Sequence, residues 1–209
     1  MLFPMLQIVD HPLAKHLLAD LRNVETTPER FRRNAEDLAT IIVLEATRRL
    51  PTVQAQVTTP LEETACERLA QSLAVVPILR AGMSMLAPVL RLFPQVAVGY
   101  IGLERSHETA IAHSYYCKLP LLAGRYVLCC DPMLATGGSA AQAVSLLKAQ
   151  GASQISMVCV VAAPEGVRLF EAAHPDVPIY TAALDRELNE MKYILPGLGD
   201  YGDRLYGTE

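Results

Sequence analysis

Residues 126–151 constrain the fold of this chain more than any other stretch. Tyr126-Val127-Leu128-Cys129-Cys130 is an unbroken apolar run, the pattern of a strand buried on both faces of a parallel sheet. Ala140, Ala143, Val144 and Leu147 then recur at the spacing of one helical face, and Gly151 stands where a helix C′ residue belongs. The joining loop, Asp131-Pro132-Met133-Leu134-Ala135-Thr136-Gly137-Gly138-Ser139, carries one carboxylate, two adjacent glycines and two hydroxyls near the helix start. A helix start leaves N–H groups unpaired and carries partial positive charge. Gly137 and Gly138 let a bulky anion approach that backbone, and Thr136 and Ser139 add donors, so the loop has the chemistry of a phosphate cradle. It has no Lys, which excludes a P-loop, and no Gly-x-Gly-x-x-Gly, which excludes a dinucleotide fingerprint. Asp131 at the strand end suits sugar hydroxyls, so the inferred ligand is a ribose 5-phosphate. The same residues also suit an ordinary strand-to-helix turn with a good N-cap.

The loop from Asp131 to Ser139 resembles the phosphoribosyl pyrophosphate (PRPP) loop of uracil phosphoribosyltransferases. Many other phosphoribosyltransferases carry two adjacent acids at its head; Pro132 in the second place is similar to the uracil branch. The resemblance continues elsewhere. Val75-Val76-Pro77-Ile78-Leu79 reads as a second buried strand that delivers Arg80 to the carboxyl edge of the sheet, where open α/β folds bind ligands. A guanidinium suits an anion with paired oxygens. Pro77-Ile78-Leu79-Arg80-Ala81-Gly82 is similar to the family's pyrophosphate loop, although Met83-Ser84-Met85 departs from its commoner Leu-Gly-Met and Ala87 replaces a frequent acid.

Residues 96–101 form the next strand, and residues 102–123 read as a long hairpin or flap that shields the site from water. Arg105 matches the family's flap arginine, flanked here by Glu104 and Ser106 in place of an aromatic residue and an Asp. Nothing nearby orients His107 or His113 as a base.

The pattern predicts a helix over 11–21, then a helix that starts at Thr27-Pro28, buries Phe31, Leu38, Ile41, Ile42 and Ala46, and ends before Pro51. Arg32, Arg33, Arg48 and Arg49 read as a solvated or subunit-contact face. Residues 52–61 alternate like a strand, and 62–73 are a helix candidate. A buried strand over 155–161 runs into Ala163-Pro164-Glu165-Gly166 and a further helix. Residues 177–182 read as a strand at the sheet edge because of Pro178. From 193 to 208 the glycines, Pro196 and alternating polar residues exclude a regular element, yet the stretch is too apolar for a disordered tail. It reads as a structured hood whose glycine turns offer backbone donors and acceptors to a planar base. Ile194-Leu195-Pro196-Gly197-Leu198-Gly199-Asp200-Tyr201-Gly202-Asp203-Arg204 resembles the family's uracil-recognition loop, with Tyr201 in place of a frequent Ala.

The expected fold is therefore α/β: a mostly parallel twisted sheet flanked by helices, with a flexible hairpin and a C-terminal hood. Residues 1–209 are expected to form one domain, with an N-terminal helical arm over about 1–50 and the hood over about 183–209. A net charge of −4 with no dense Lys/Arg stripe argues against a nucleic-acid partner. The absence of an apolar run of ~18 residues argues against a membrane span. The five cysteines show no metal spacing, and Cys129 and Cys130 point to opposite faces of one strand, which argues against a disulfide framework; all five, Cys66, Cys117, Cys129, Cys130 and Cys159, read as small buried apolar side chains in a reducing cytoplasm.

The resemblance implies transfer of ribose 5-phosphate from PRPP to uracil N1, giving UMP and diphosphate. It implies catalytic roles for Arg80, Arg105, Asp131 and Asp200, and PRPP binding by these together with residues 132–139, that is Pro132, Met133, Leu134, Ala135, Thr136, Gly137, Gly138 and Ser139. It also implies uracil binding by the main chain at Ile194, Gly199, Asp200 and Tyr201, and Mg²⁺ held through PRPP rather than by a protein cage. A homodimer or higher homo-oligomer and GTP as an effector are further implications. Two other readings stay open: a phosphoribosyltransferase-like regulator that binds RNA, and a transferase acting on another base.

Overall fold

The computed structural model describes residues 3–105 and 112–208, with the side chains of residues 104, 105 and 112–114 outside that description. β1 (Leu6–Ile8) leads into α1 (Pro12–Arg22), whose start is capped by His11 Nδ1 accepting from the Leu13 amide at 3.1 Å. α2 (Pro28–Thr47) begins where the sequence signals it, with Thr27 as N-cap and Pro28 in the first turn. Phe31, Leu38, Ile42 and Ala46 are buried along one side of it, and Ile41 is half-buried.

β2 (Thr52–Thr58) follows the expected alternation, but the helix expected over 62–73 is a strand. β3 (Glu63–Leu69) pairs antiparallel with β2 from Thr52↔Leu69 to Thr58↔Glu63. Thr59 Oγ1 accepts from the Leu61 and Glu62 amides and shapes the turn between them. Every residue of β3 is exposed, so no helical face is available to bury, and pairing with the adjacent strand prevails over local helix propensity.

β4 (Leu73–Leu79) ends in a 3₁₀ turn, Ala81–Met85, followed by α3 (Leu86–Leu92) and β5 (Ala97–Val98). β6 (Tyr100–Arg105) and β7 (Ala112–Lys118) form an antiparallel hairpin, as expected, but it begins at Tyr100, so the strand expected over 96–101 is divided between β5 and β6. Ser106 and His107 lie outside the described residues, as do the side chains of Glu104, Arg105 and His113. β8 (Tyr126–Cys130), β9 (Met133–Leu134) and α4 (Gly138–Ala149) make up the central unit. They are followed by β10 (Gln154–Val158), β11 (Val161–Ala162), α5 (Pro164–Ala173), β12 (Ile179–Thr181) and β13 (Ala183–Leu184).

Among the described residues eight strands form the main sheet, in the order β1-β12-β10-β8-β4-β6-β7 with β5 beside β4. Its pairs are parallel except β6 with β7. The strand expected at the edge over 177–182 is interior: β12 lies between β10 and β1. Pro178 sits just before β12, where its missing amide removes no ladder bond, and its carbonyl accepts from Met157 N at 2.9 Å. A second, three-stranded sheet, β13-β11-β9, stands beyond the carboxyl ends of the main strands, so the single strand expected over 155–161 is two.

Alternate residues of the central strands enter two different cores. Val75, Leu128, Cys130 and Val158 pack with α1, α2 and α3; Ala74, Val76, Val127, Cys129 and Met157 pack with α4 and α5. Cys129 and Cys130 thus lie on opposite faces and are buried, as is Cys159, whereas Cys66 on β3 and Cys117 on β7, expected to be buried, are exposed because both hairpin strands face solvent there. Burial pushes the Cys130 and Cys159 thiols up to about 12 and raises Cys129 as well, which suppresses the reactive thiolate. At neutral pH, iodoacetamide is expected to leave Cys129, Cys130 and Cys159 unmodified until the protein is denatured. Alkylation of any of them in the native state at the rate of a free thiol, read by peptide mass spectrometry, would contradict this packing.

The carboxy-terminal stretch over 193–208, expected to lack regular structure, contains a strand and a helix. β14 (Glu187–Leu188) pairs antiparallel with β15 (Ile194–Leu195), and α6 (Tyr201–Tyr206) follows. Asp200 Oδ1 caps α6 by accepting from the Asp203 amide at 3.0 Å. Tyr201 and Leu205, one turn apart, are buried in the α1–α2 core, and Tyr201 meets Phe31 edge-on with centroids 5.2 Å apart. Tertiary docking therefore sustains a helix too short and glycine-containing to persist alone.

Candidate active site

The carboxyl edge of the sheet gathers most of the residues singled out from the sequence. A cavity of about 340 Å³ is lined by Asp131, Met133, Ala135, Met191, Lys192, Tyr193, Ile194, Gly199, Asp200 and Tyr201. Asp131, Met133 and Ala135 come from the glycine loop; Ile194, Gly199, Asp200 and Tyr201 come from the hood. Two segments some sixty residues apart in sequence thus share one wall-to-wall space.

The loop is built by backbone pairing. After β8, β9 folds back against β11, with Met133 opposite Val161 and Leu134 opposite Ala162. Pro132 O accepts from Val160 N at 2.9 Å and Val161 N at 3.1 Å, and Leu134 O accepts from Ala163 N at 3.0 Å. Pro132 and Leu134 are buried, so of the loop residues these two offer side chains to the core and not to a ligand. Asp131 is half-buried and its Oδ1 accepts from the Met133 amide at 3.4 Å.

Gly137 has φ of 84°, a left-handed conformation that glycine adopts without strain, and the first helical bond runs from Ala141 N to Gly137 O at 2.9 Å. The amides of residues 138–140 therefore have no acceptor within α4 and face the loop side of the helix start. Space at Gly137 is short as well: a Cβ there would lie 2.5 Å from Gly166 O. Gly166, at the start of α5, is equally confined, since a Cβ would lie 2.6 Å from Leu134 O and collide with Ala135 O. The Ala163-Pro164-Glu165-Gly166 turn is thereby a buttress for the glycine loop.

Arg80 follows β4 across a cis Leu79–Arg80 peptide and heads the 3₁₀ turn. Its side chain is exposed and forms no ion pair among the described residues. Gly82 brings this turn against β8, for a Cβ there would lie 2.5 Å from Cys130 O, the residue before Asp131. Arg80 is not part of the cavity wall; it stands on the neighbouring strand end. Arg105 ends β6, and its side chain is outside the described residues. Asp200, exposed at the cavity, uses Oδ1 for the α6 cap and retains Oδ2.

The sequence reading missed Met191, Lys192 and Tyr193, which line the cavity from the β14–β15 turn. Asn189 organises that turn: its Oδ1 accepts from Tyr193 N at 2.8 Å and its carbonyl from Lys192 N at 2.9 Å. A polar Asn-led stretch between two short apolar pieces is a hairpin signal and was legible. It also missed what holds the hood. Arg22 reaches Asp185 in two bonds, Nη2–Oδ1 at 2.6 Å and Nη1–Oδ2 at 2.9 Å, and donates to Gly197 O at 2.9 Å. Gly197 N returns to Asp185 Oδ2 at 2.9 Å. Arg204 donates to Leu21 O, Leu198 O and Asn23 O, with its guanidinium 4.5 Å above the Phe31 ring. Arg32, expected on a solvated or subunit-contact face, is exposed and also donates to Leu205 O at 2.8 Å.

Among the described residues no three His, Cys, Asp or Glu side chains converge on one point. The cavity carries two carboxylates, Asp131 and Asp200, whose oxygens are of the hard type that a divalent cation such as Mg²⁺ takes.

A family model described as uracil phosphoribosyltransferase matches residues 8–208. A uracil phosphoribosyltransferase of Symbiobacterium thermophilum is 49% identical over 204 residues, spanning 97% of this chain and 98% of that protein. The solved structure of the AQ2163 protein from Aquifex aeolicus superposes with a TM-score of 0.93 at 37% identity, over 97% of this chain and 98% of that one. An orotate phosphoribosyltransferase of Mycobacterium tuberculosis, solved with PRPP, shares the fold at a TM-score of 0.50 and 14% identity, over 83% of this chain and 90% of that one.

Proposed function

This chain belongs to the uracil phosphoribosyltransferase family and is a pentosyltransferase, and from that premise we propose how its residues move ribose 5-phosphate from PRPP to uracil N1. The observation that carries the assignment is the shared cavity: Asp131 and Ala135 of the glycine loop face Ile194, Gly199, Asp200 and Tyr201 of the hood. The 5′-phosphate rests on the main chain of Ala135, Thr136, Gly137, Gly138 and Ser139, where the α4 start supplies amides and positive potential. Asp131 holds the ribose hydroxyls. Pro132 and Leu134 contribute by shaping the loop, and Met133 by lining it.

Rupture of the bond from C1 to diphosphate leaves positive charge on the sugar and negative charge on the leaving group. Arg80 and Arg105 stabilise the latter. Mg²⁺, when bound to the diphosphate, supplies further neutralisation of that charge. The hood presents uracil through the backbone at Ile194 and at Gly199, Asp200 and Tyr201, with N1 in line with C1, so catalysis is chiefly by positioning. Asp200 Oδ2 is the oxygen available to assist removal of the N1 proton. No side chain acts as a nucleophile.

In this reading residues 1–209 act as one domain, with the arm of about 1–50 bracing the hood of about 183–209 through the Arg22–Asp185 pair and the Arg204 contacts. No helix among the described residues is long and apolar enough to cross a membrane. A cytoplasmic homodimer and GTP as an effector belong to the same proposal; sedimentation and initial rates with added GTP test them. The direct test of the reaction is incubation with PRPP and uracil, with and without Mg²⁺. UMP and diphosphate in equal amounts are expected, and turnover with orotate or hypoxanthine but not uracil would overturn it.

The buttress makes a further prediction. Gly166→Ala forces a methyl group into the Leu134 and Ala135 carbonyls, at a cost of about 1–3 kcal/mol in overpacking. A raised KM for PRPP with a smaller change in KM for uracil is expected. Equal kinetics in the variant would contradict a buttressing role.

A further inference from the structure

α6 touches the Arg80 turn at two points. Tyr201 OH lies 3.0 Å from Ser84 Oγ, and Tyr206 OH donates to Arg80 O at 3.2 Å. Ser84 Oγ also contacts Ala81 O at 2.9 Å, an atom that can only accept. The serine has one proton, so it gives that proton to Ala81 and accepts from Tyr201. Burial raises the Tyr201 phenol well above its ordinary value, so it remains a donor through neutral pH. The two tyrosines, five residues apart on one helix, therefore grip both ends of one 3₁₀ turn.

What lies on either side of this grip matters. The main chain at Tyr201 and its neighbours Gly199 and Asp200 belong to the cavity wall. The gripped turn begins at Arg80 and is wedged against Cys130 O by Gly82. On its far side α6 is fastened to the amino-terminal helices by Arg204 and by Arg32. Residues 199–201 and the Arg80 backbone are thus joined through a helix held on both sides.

We propose that Tyr201, Ser84 and Tyr206 are positioning residues that couple the base pocket to the Arg80 turn, so that a ligand in one raises the affinity of the other. The proposal rests on the site reading above. Such coupling is reciprocal, so either ligand can report it.

The test is calorimetric titration of UMP into the full-length protein, with and without saturating magnesium pyrophosphate. The readout is the ratio of the two dissociation constants. The unmodified protein is expected to bind UMP more tightly when pyrophosphate is present. Tyr201→Phe keeps the ring against Phe31 and removes only the hydroxyl; in it the ratio is expected to fall about two- to tenfold, the span one hydrogen bond commands. Ser84→Ala is expected to match it, and the double variant to fall no further, because both changes remove the same bond. Tyr206→Phe is expected to reduce the ratio independently. A ratio of one in the unmodified protein would overturn the proposal. So would an unchanged ratio in Tyr201→Phe and Ser84→Ala, even with altered UMP affinity, since that is packing alone. Failure of UMP to bind the unmodified protein would overturn the site reading itself, and the coupling with it.

Discussion

Asp131→Ala and Arg80→Ala are each expected to lower UMP formation by at least about a hundredfold, the scale seen when one preorganised electrostatic partner is removed from a transition state. That loss corresponds to roughly 2.7 kcal/mol of barrier. The fold is expected to survive both changes. Arg80 is exposed and in no ion pair among the described residues, so truncating it falls in the class of surface substitutions that shift stability by about 0.5 kcal/mol or less. The Asp131 backbone amide donates to Val158 O at 3.1 Å, a bond that remains in the alanine variant. Purified variants with native-like thermal melts and greatly reduced rates of UMP appearance are the expected result. Near-normal turnover in both would refute the assignment of diphosphate and ribose to this edge of the sheet.

The largest expected effect on stability is at Arg22. The Asp185 side chain is only 4% exposed, and its charge is met by two Arg22 bonds and the Gly197 amide. Arg22→Ala leaves that carboxylate buried without its cation, which typically costs about 3–5 kcal/mol; the partial exposure of Arg22 favours the lower end. For a chain of this size that is a fall in Tm of roughly 6–12 °C. Because the same guanidinium holds Gly197 O, the turn that leads to Gly199 loosens too. KM for uracil is expected to rise more than KM for PRPP. A melt within a degree or two of the unmodified protein would show that the pair does not hold the hood.

Much of this was readable from residues alone, for identifiable reasons. Val75–Leu79 and Tyr126–Cys130 are buried on both faces, and a continuous apolar run is the mark of that environment. The loop from Asp131 to Ser139 was legible as a strand-to-helix connection because its glycines and hydroxyls stand between an unbroken apolar run and a helical apolar face. β3 was not, because an exposed hairpin strand carries no burial signal and its neighbours in sequence are good helix formers. β12 was misplaced because a proline was read as an edge marker, whereas Pro178 precedes the strand. α6 was missed because its glycine and short length argue against a helix, and tertiary contacts from Phe31, Arg32 and Arg204 sustain it. The Arg22–Asp185 and Tyr201–Ser84 contacts join residues 163 and 117 positions apart, beyond the reach of local pattern.

The central claim is that the loop of Asp131 to Ser139 and the hood of Ile194 to Tyr201 hold two ends of one nucleotide. A crystal structure with bound UMP tests it most directly. The 5′-phosphate is predicted on the amides at Gly137, Gly138 and Ser139 beside Thr136, the ribose hydroxyls at Asp131, and the base against the main chain of Ile194 and Gly199 to Tyr201. A nucleotide bound elsewhere, or with its phosphate in the hood and its base on the glycine loop, would contradict it.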